Sequence, residues 1–231
     1  MLSLPLVQRP EDREVPLYTG NVAEDLQRVS RDRLAERITG GLSQTSKMPC
    51  PSWGISAARC RIGSALAQQE GTTCHQCYAT RGRYRFGNVQ DRLEGRYEGL
   101  FHQLWTPSMV FLIHYFCNRY FRWMDSGDVQ GEHHFHNIVT VAAHTPEVRH
   151  WLPTREIETV RAVLRRVALP WNLLVRVSAH QVDGRPPRGF PHTSTVVTEG
   201  ATCPAPKQRG ACGECRACWE PSVPNVAYRL H

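Results

Sequence analysis

The sequence predicts an α/β fold, a partial (βα) barrel with mostly parallel strands. An N-terminal arm precedes it and a Cys-rich C-terminal metal-binding segment follows. Three observations carry this reading. From Tyr120 to Val197, short apolar or aromatic runs alternate with amphipathic stretches over short connections. That order implies parallel pairing through right-handed crossovers. Polar residues collect where those strands end, which is where parallel α/β folds do their chemistry. Eight of the nine cysteines fall into two groups of four with metal-site spacing.

Residues 1–45 form the arm. Pro5, Pro10 and Pro16 break its first stretch, and Glu11, Asp12, Arg13 and Glu14 solvate it. A modest helix runs from Val22 to Ile38, with Leu26, Leu34 and Ile38 on one face, and Gly40 and Gly41 stop it. Residues 46–200 form the barrel. Ser52 to Ser56 is a short strand and Ala65 to Gln69 a short helical piece. Val89 to Phe116 makes two helices, broken at Pro107; Leu93, Tyr97, Leu100 and Leu104 repeat at helical spacing in the first. Strands follow at Tyr120 to Met124, Arg149 to Leu152, Leu173 to Val177 and Thr193 to Val197. Helices follow over 135–143 and along the stripe Ile157, Val160, Leu164 and Val167. Residues 201–231 are the Cys-rich segment, packed on the barrel.

The first cysteine group is Cys50, Cys60, Cys74 and Cys77, spaced C-x9-C-x13-C-x2-C. The second is Cys203, Cys212, Cys215 and Cys218, spaced C-x8-C-x2-C-x2-C. Four gathered thiolates repel one another, and a bound cation turns that cost into binding energy. The close triplet with one distant partner resembles a ferredoxin arrangement, so two [4Fe-4S] clusters are expected, with zinc as the alternative at either site. Cys117 is left for core packing. His231 is an outside candidate ligand.

The remaining candidates sit at strand ends. They are Asp125, Ser126, Gly127 and Asp128 after the first; Thr154, Arg155 and Glu156 after the second; Ser178 and His180 after the third; and Thr198 and Glu199 after the fourth. Asp125 and Asp128 suit substrate orientation or proton exchange. The Arg155 fork suits a carboxylate or phosphate, and His180 suits general acid–base work.

A net charge of +7 favours a polyanionic partner, a nucleic acid or nucleotide first. The longest apolar run, around Met109 to Phe116, is too short to span a bilayer, so no membrane association is expected. With no secretion signal read at the start, the expected location is the cytoplasm, of the host cell if the chain is phage-encoded. Thiols there stay reduced and serve as ligands rather than disulfides.

Several motifs together resemble the phage gene product 88 family. They are Ser46-Lys47-Met48-Pro49-Cys50-Pro51, Cys74-His75-Gln76-Cys77-Tyr78-Ala79, Arg122-Trp123-Met124-Asp125-Ser126-Gly127-Asp128, Trp151-Leu152-Pro153-Thr154-Arg155-Glu156 and Cys212-Gly213-Glu214-Cys215-Arg216-Ala217-Cys218-Trp219. That resemblance implies phage or prophage origin and no assigned activity. The order of elements also resembles radical S-adenosylmethionine (SAM) enzymes that carry an auxiliary cluster. By that resemblance Ser126, Gly127 and Asp128, with Thr154, contact bound SAM. The chain departs from that family's C-x3-C-x2-C loop, because Glu70 stands four residues before Cys74. Cys60 must then act as third ligand, with Cys50 either a spare or a fourth ligand that closes the iron where SAM binds.

Three functions compete. One is an iron–sulfur, radical-SAM-like enzyme acting on a nucleotide or nucleic-acid base. Another is a metal-stabilised nucleic-acid-binding or regulatory protein, with Tyr78, Tyr84 and Phe86 among Arg81, Arg83 and Arg85 as its contact. The last is a zinc-containing base-exchange transglycosylase with Asp125 or Asp128 as nucleophile.

Overall fold

Seven strands form one sheet in chain order in the computed structural model, which describes residues 19–30 and 33–230. They are β1 (Ser43–Gln44), β2 (Pro51–Trp53), β3 (Tyr120–Trp123), β4 (Arg149–Thr154), β5 (Leu173–Val182), β6 (Thr193–Val197) and β7 (Asn225–Arg229). β1 runs antiparallel to β2, and every other neighbouring pair is parallel. The helices are α1 (Val22–Val29), α2 (Leu34–Thr39), α3 (Arg61–Ala67), α4 (Gly87–Gly99), α5 (Trp105–Phe116), α6 (Glu132–Ala143) and α7 (Ile157–Leu164).

Strand order equal to chain order, with right-handed crossovers, puts the helical connections on one face. The helices pack in the same succession: α1 and α2 on α5, α5 on α6, and α6 on α7. β1 and β7 stand at opposite edges of the strand order, so the sheet is open.

Alternation along β3 decides what each face does. Phe121 and Trp123 point into the helix layer, whereas Tyr120 and Arg122 point to the other side. Trp53, Trp105 and Trp123 meet edge-on or tilted, with ring centroids 5.3 to 6.3 Å apart, and His134 and His150 complete this cluster. Both histidines are neutral hydrogen-bond partners. The His150 Nδ1 accepts from the Trp123 indole at 3.2 Å, and the His134 Nδ1 accepts from the Gln130 amide at 3.1 Å.

Burial pulls both histidines down to about 3. The unfolded chain takes up protons below about pH 6.5, and the folded chain does so only near pH 3. Stability is therefore intact above about pH 6.5. It falls as the pH drops through this window, by about 1.4 kcal/mol per pH unit for each histidine. Thermal denaturation followed by circular dichroism between pH 7 and pH 4 checks this.

The elements differ from expectation where pairing overrides local pattern. The arm's helix is two helices, with Arg33 left-handed at the start of α2. Val29, Leu34, Ala35 and Ile38 are buried in the main core. The prolines and charges expected to break and solvate the arm's first stretch lie outside the described residues. β5 runs past Ser178 and His180 to Val182, because β6 pairs with it on one side and Thr72 bridges Gln181 on the other. β7 was not anticipated. It joins Asn225–Arg229, beyond the last cysteine, to the same sheet as β6. Among the described residues, no helix is long and apolar enough to cross a membrane.

Candidate metal centres and strand-end site

All nine cysteines are free thiols. The structure groups them differently from their order in the chain. Cys60, Cys74 and Cys77 stand together: Cys60 feels the charges of Cys74 and Cys77 as well as Asp128. Gly63 faces this set. A Cβ there would come 2.6 Å from the Cys60 sulfur and 3.9 Å from the Cys74 sulfur, so only glycine leaves the space open. Short hydrogen-bonded turns hold the loop, with Cys60 N–H donating to Ala57 O and Cys77 N–H to Cys74 O. The Val182 amide donates to Gly71 O at 2.8 Å and ties the loop to the end of β5.

Cys50 sits elsewhere. It is buried with Trp151 and Trp219, and Met48, Tyr120, Cys218 and Tyr228 pack against it. Its surroundings are charged by Arg122, Cys212, Arg216 and Cys218. Cys212 in turn lies near Cys203 and Cys215. The Cys212 amide donates to Lys47 O at 3.0 Å, and the Cys212 sulfur lies 3.9 Å from the Met48 sulfur. Residues 47–50 thus form one wall of the C-terminal group, on the sheet face away from the helices. The first group is left with three cysteines and the second has five. Among the described residues, no three His, Cys, Asp or Glu side chains are arranged to hold a single metal ion.

Burial favours the neutral thiol at Cys50, Cys60, Cys74, Cys212 and Cys218. Cys50 and Cys60 are pushed up to about 12 and Cys218 to about 11, the last eased by a Tyr228 hydroxyl 3.2 Å away. Such thiols release protons when a cation binds them. The donors in both places are all sulfur, and Gly63 keeps the space beside Cys60 and Cys74 open.

The strand ends converge on the three-cysteine loop. Asp128 is buried, and its carboxylate accepts from the Thr154 hydroxyl at 2.6 Å, the Arg155 amide at 2.8 Å and the Val129 amide at 2.8 Å. It therefore fixes the end of β4 to the end of β3. Burial raises Asp128, and these three donors oppose the rise. Glu156 is also raised by burial, with Asp128 beside it and the Ile62 amide and Arg61 opposing. His180 Nε2 donates to Arg155 O at 3.0 Å, which leaves Nδ1 as its open nitrogen.

Asp125 and Ser126 are buried, and Asp125 Oδ1, Ser126 Oγ and Arg155 Nε are shielded from solvent without a protein partner. Gly127 lets the chain turn there. Its φ is +72°, and a Cβ would fall 2.4 Å from Ile55 Cγ1. Ser178 is held apart from this set, bonded to Ser194 at 2.7 Å on the sheet face, and Thr198 is bonded to Asp183. His231 lies outside the described residues.

Three residues with a part in the site, Met48, Arg122 and Arg176, were given no role by sequence reasoning, and Tyr78 was read only as a base-stacking contact. Tyr78 donates to Asp125 O at 2.5 Å and accepts from Arg122 at 3.3 Å. Met48 links Arg122 to Cys212. Arg176 is fully buried and donates to the carbonyls of Ala217, Cys218 and Glu220. The one available signal was an arginine in the middle of an apolar strand, which occurs at both Arg122 and Arg176.

Comparison with known proteins gives one match: the family model described as gene product 88 aligns with residues 20–221. No curated protein and no solved structure matches.

Proposed function

The chain belongs to the gene product 88 family, and we propose that it is an iron–sulfur enzyme of radical-SAM-like type acting on a nucleotide or nucleic-acid base in the cytoplasm. The observation that carries this reading is the placement of Cys50. With Cys50 beside Cys212 and Cys218, the strand-end loop keeps three thiolates, Cys60, Cys74 and Cys77. A cluster on three thiolates has one iron without a protein ligand, and that is the position a chelating cofactor needs. When bound, the cluster supplies an electron for reductive chemistry on SAM or acts as a Lewis acid.

The chain's own groups then bind and orient. Asp125 and Ser126 offer shielded, unpartnered oxygens to an amine or hydroxyl. Arg155 offers its free Nε to a carboxylate or phosphate. Asp128 is a positioning residue, since both its oxygens are engaged in holding Thr154 and Arg155. This departs from the role of direct cofactor contact or nucleophile, and it weighs against the transglycosylase reading. His180 Nδ1 is the open base and Glu156 a second acid–base group at the rim. Four of the five thiols Cys50, Cys203, Cys212, Cys215 and Cys218 would hold the second cluster.

A binding-module reading is favoured by one feature: Tyr78 and Phe86 are 46% and 58% exposed, and Arg81, Arg83 and Arg85 beside them are exposed.

Anaerobic purification followed by an absorption spectrum and iron, sulfide and zinc analysis tests both. Two cubane clusters predict about eight irons per chain and a brown protein. Zinc alone, with retained binding of single-stranded nucleic acid, overturns the enzyme reading in favour of the binding module.

A further inference from the structure

Arg122 touches a neighbour of each cysteine centre, Met48 beside Cys212 and Tyr78 after Cys77. It lies in mid-β3 on the face away from the helices, in register with Ser52 and Trp151. Its guanidinium stacks over the Trp151 ring, 4.7 Å from the centroid. One arm donates to the Met48 sulfur at 3.6 Å, and that sulfur touches the Cys212 sulfur. The other arm donates to the Tyr78 hydroxyl at 3.3 Å, and Tyr78 directly follows Cys77. The Nε is shielded from solvent and has no partner. No carboxylate pairs with this guanidinium among the described residues. Asp125 acts on this guanidinium only from beyond ion-pair distance, so the cation keeps charge to offer on a face shared with Cys50, Cys212 and Cys218.

We propose that Arg122 is the counter-charge that sets the reduction potential of the C-terminal centre and, through Tyr78, links it to the three-thiolate centre. This rests on the iron–sulfur reading above. Each centre takes one electron from a one-electron reductant, which is oxidised; no bond forms or breaks and no proton moves. The added negative charge lies beside the guanidinium, so the reduced form gains from it more than the oxidised form does. Arg176 and Arg216 also face the C-terminal centre, and Arg155 faces the three-thiolate centre. Among these arginines Arg122 is the one that contacts a neighbour of both, so its removal moves both midpoints, the C-terminal one further.

The test is an anaerobic dithionite titration monitored by electron paramagnetic resonance on the full chain. Arg122→Met is expected to shift the reduction equilibrium of the C-terminal centre at least tenfold toward the oxidised form, about 59 mV for one electron, with a smaller shift of the three-thiolate centre in the same direction. Arg122→Lys keeps the charge and is expected to recover most of the C-terminal shift. Tyr78→Phe removes only the phenol, and it moves the three-thiolate midpoint while leaving the C-terminal one in place.

Unchanged midpoints in Arg122→Met overturn the inference, as does a Lys variant indistinguishable from the Met variant. If the Met variant does not fold, the other two decide. A shifted C-terminal midpoint in Tyr78→Phe, or an unshifted three-thiolate one, overturns the link. Wild-type protein without iron sinks the underlying reading, whereas iron-loaded protein with unmoved midpoints sinks only the role of Arg122.

Discussion

On the proposed iron–sulfur reading, replacing Cys74 and Cys77 together by Ala is expected to halve the iron content, from about eight per chain to about four, and to abolish any SAM cleavage. The reasoning starts from where the sulfurs stand. Cys60, Cys74 and Cys77 share one loop opened by Gly63, and Cys60 alone cannot hold a cluster. The C-terminal set keeps all its ligands in this variant, so its absorption and paramagnetic signals persist. Cys50→Ala is the counterpart. It removes a sulfur that packs on Cys218 and Trp219, so the three-thiolate centre keeps its spectrum and its response to SAM. Four cysteines remain in the C-terminal set, and its iron stays within about one atom of the full value. A changed three-thiolate signal in Cys50→Ala would return Cys50 to the first group and close the open iron position.

The contrast between these two variants also marks what could be read from the chain. The strand-end residues were legible because a parallel order of elements dictates where Asp125, Asp128, Thr154 and Arg155 must point. The close sets Cys212, Cys215 and Cys218, and Cys74 with Cys77, were legible because close spacing is a local property. The partner of Cys50 was not, since it depends on residues 47–50 meeting a loop some 160 positions later through the Lys47 carbonyl and the Cys212 amide. Nothing near Cys50 in sequence encodes that meeting. β7 was missed for a related reason. Val226 and Tyr228 alternate as a strand should, but the run is five residues long and its partner β6 lies beyond the cysteines. Charge in mid-strand was the neglected clue. Arg122 and Arg176 look like surface residues by type, yet the sheet places Arg176 against the Cys-rich segment and Arg122 against Met48, which touches Cys212.

Arg176→Met is expected to lower the melting temperature by roughly 10 °C and to empty the C-terminal centre while sparing the other. Arg176 is fully buried, and burial lowers its affinity for a proton. It donates to Cys218 O at 3.0 Å, Ala217 O at 2.8 Å, Glu220 O at 3.0 Å and Thr193 O at 3.3 Å. Three of those carbonyls belong to the short turn that carries Cys218 and Trp219, so one guanidinium clamps the segment to β5. Methionine fills the space but leaves the carbonyls without a donor. A buried hydrogen bond to a charged group contributes about 1.5–3 kcal/mol, and losing the donor also strands the acceptor. Since the four contacts share one side chain, the loss is about 3–5 kcal/mol rather than a fourfold sum. At about 2–4 °C per kcal/mol for a chain of this size, that gives the predicted shift. Lysine supplies a point charge without the planar fork and is expected to recover less than half of it. Calorimetry and iron analysis on the same preparation decide the matter. A variant that melts with the wild type and keeps about eight irons would show that the segment is held by Trp219 and the β6–β7 pairing alone, since the Trp219 indole donates to Phe121 O at 2.9 Å independently of the arginine.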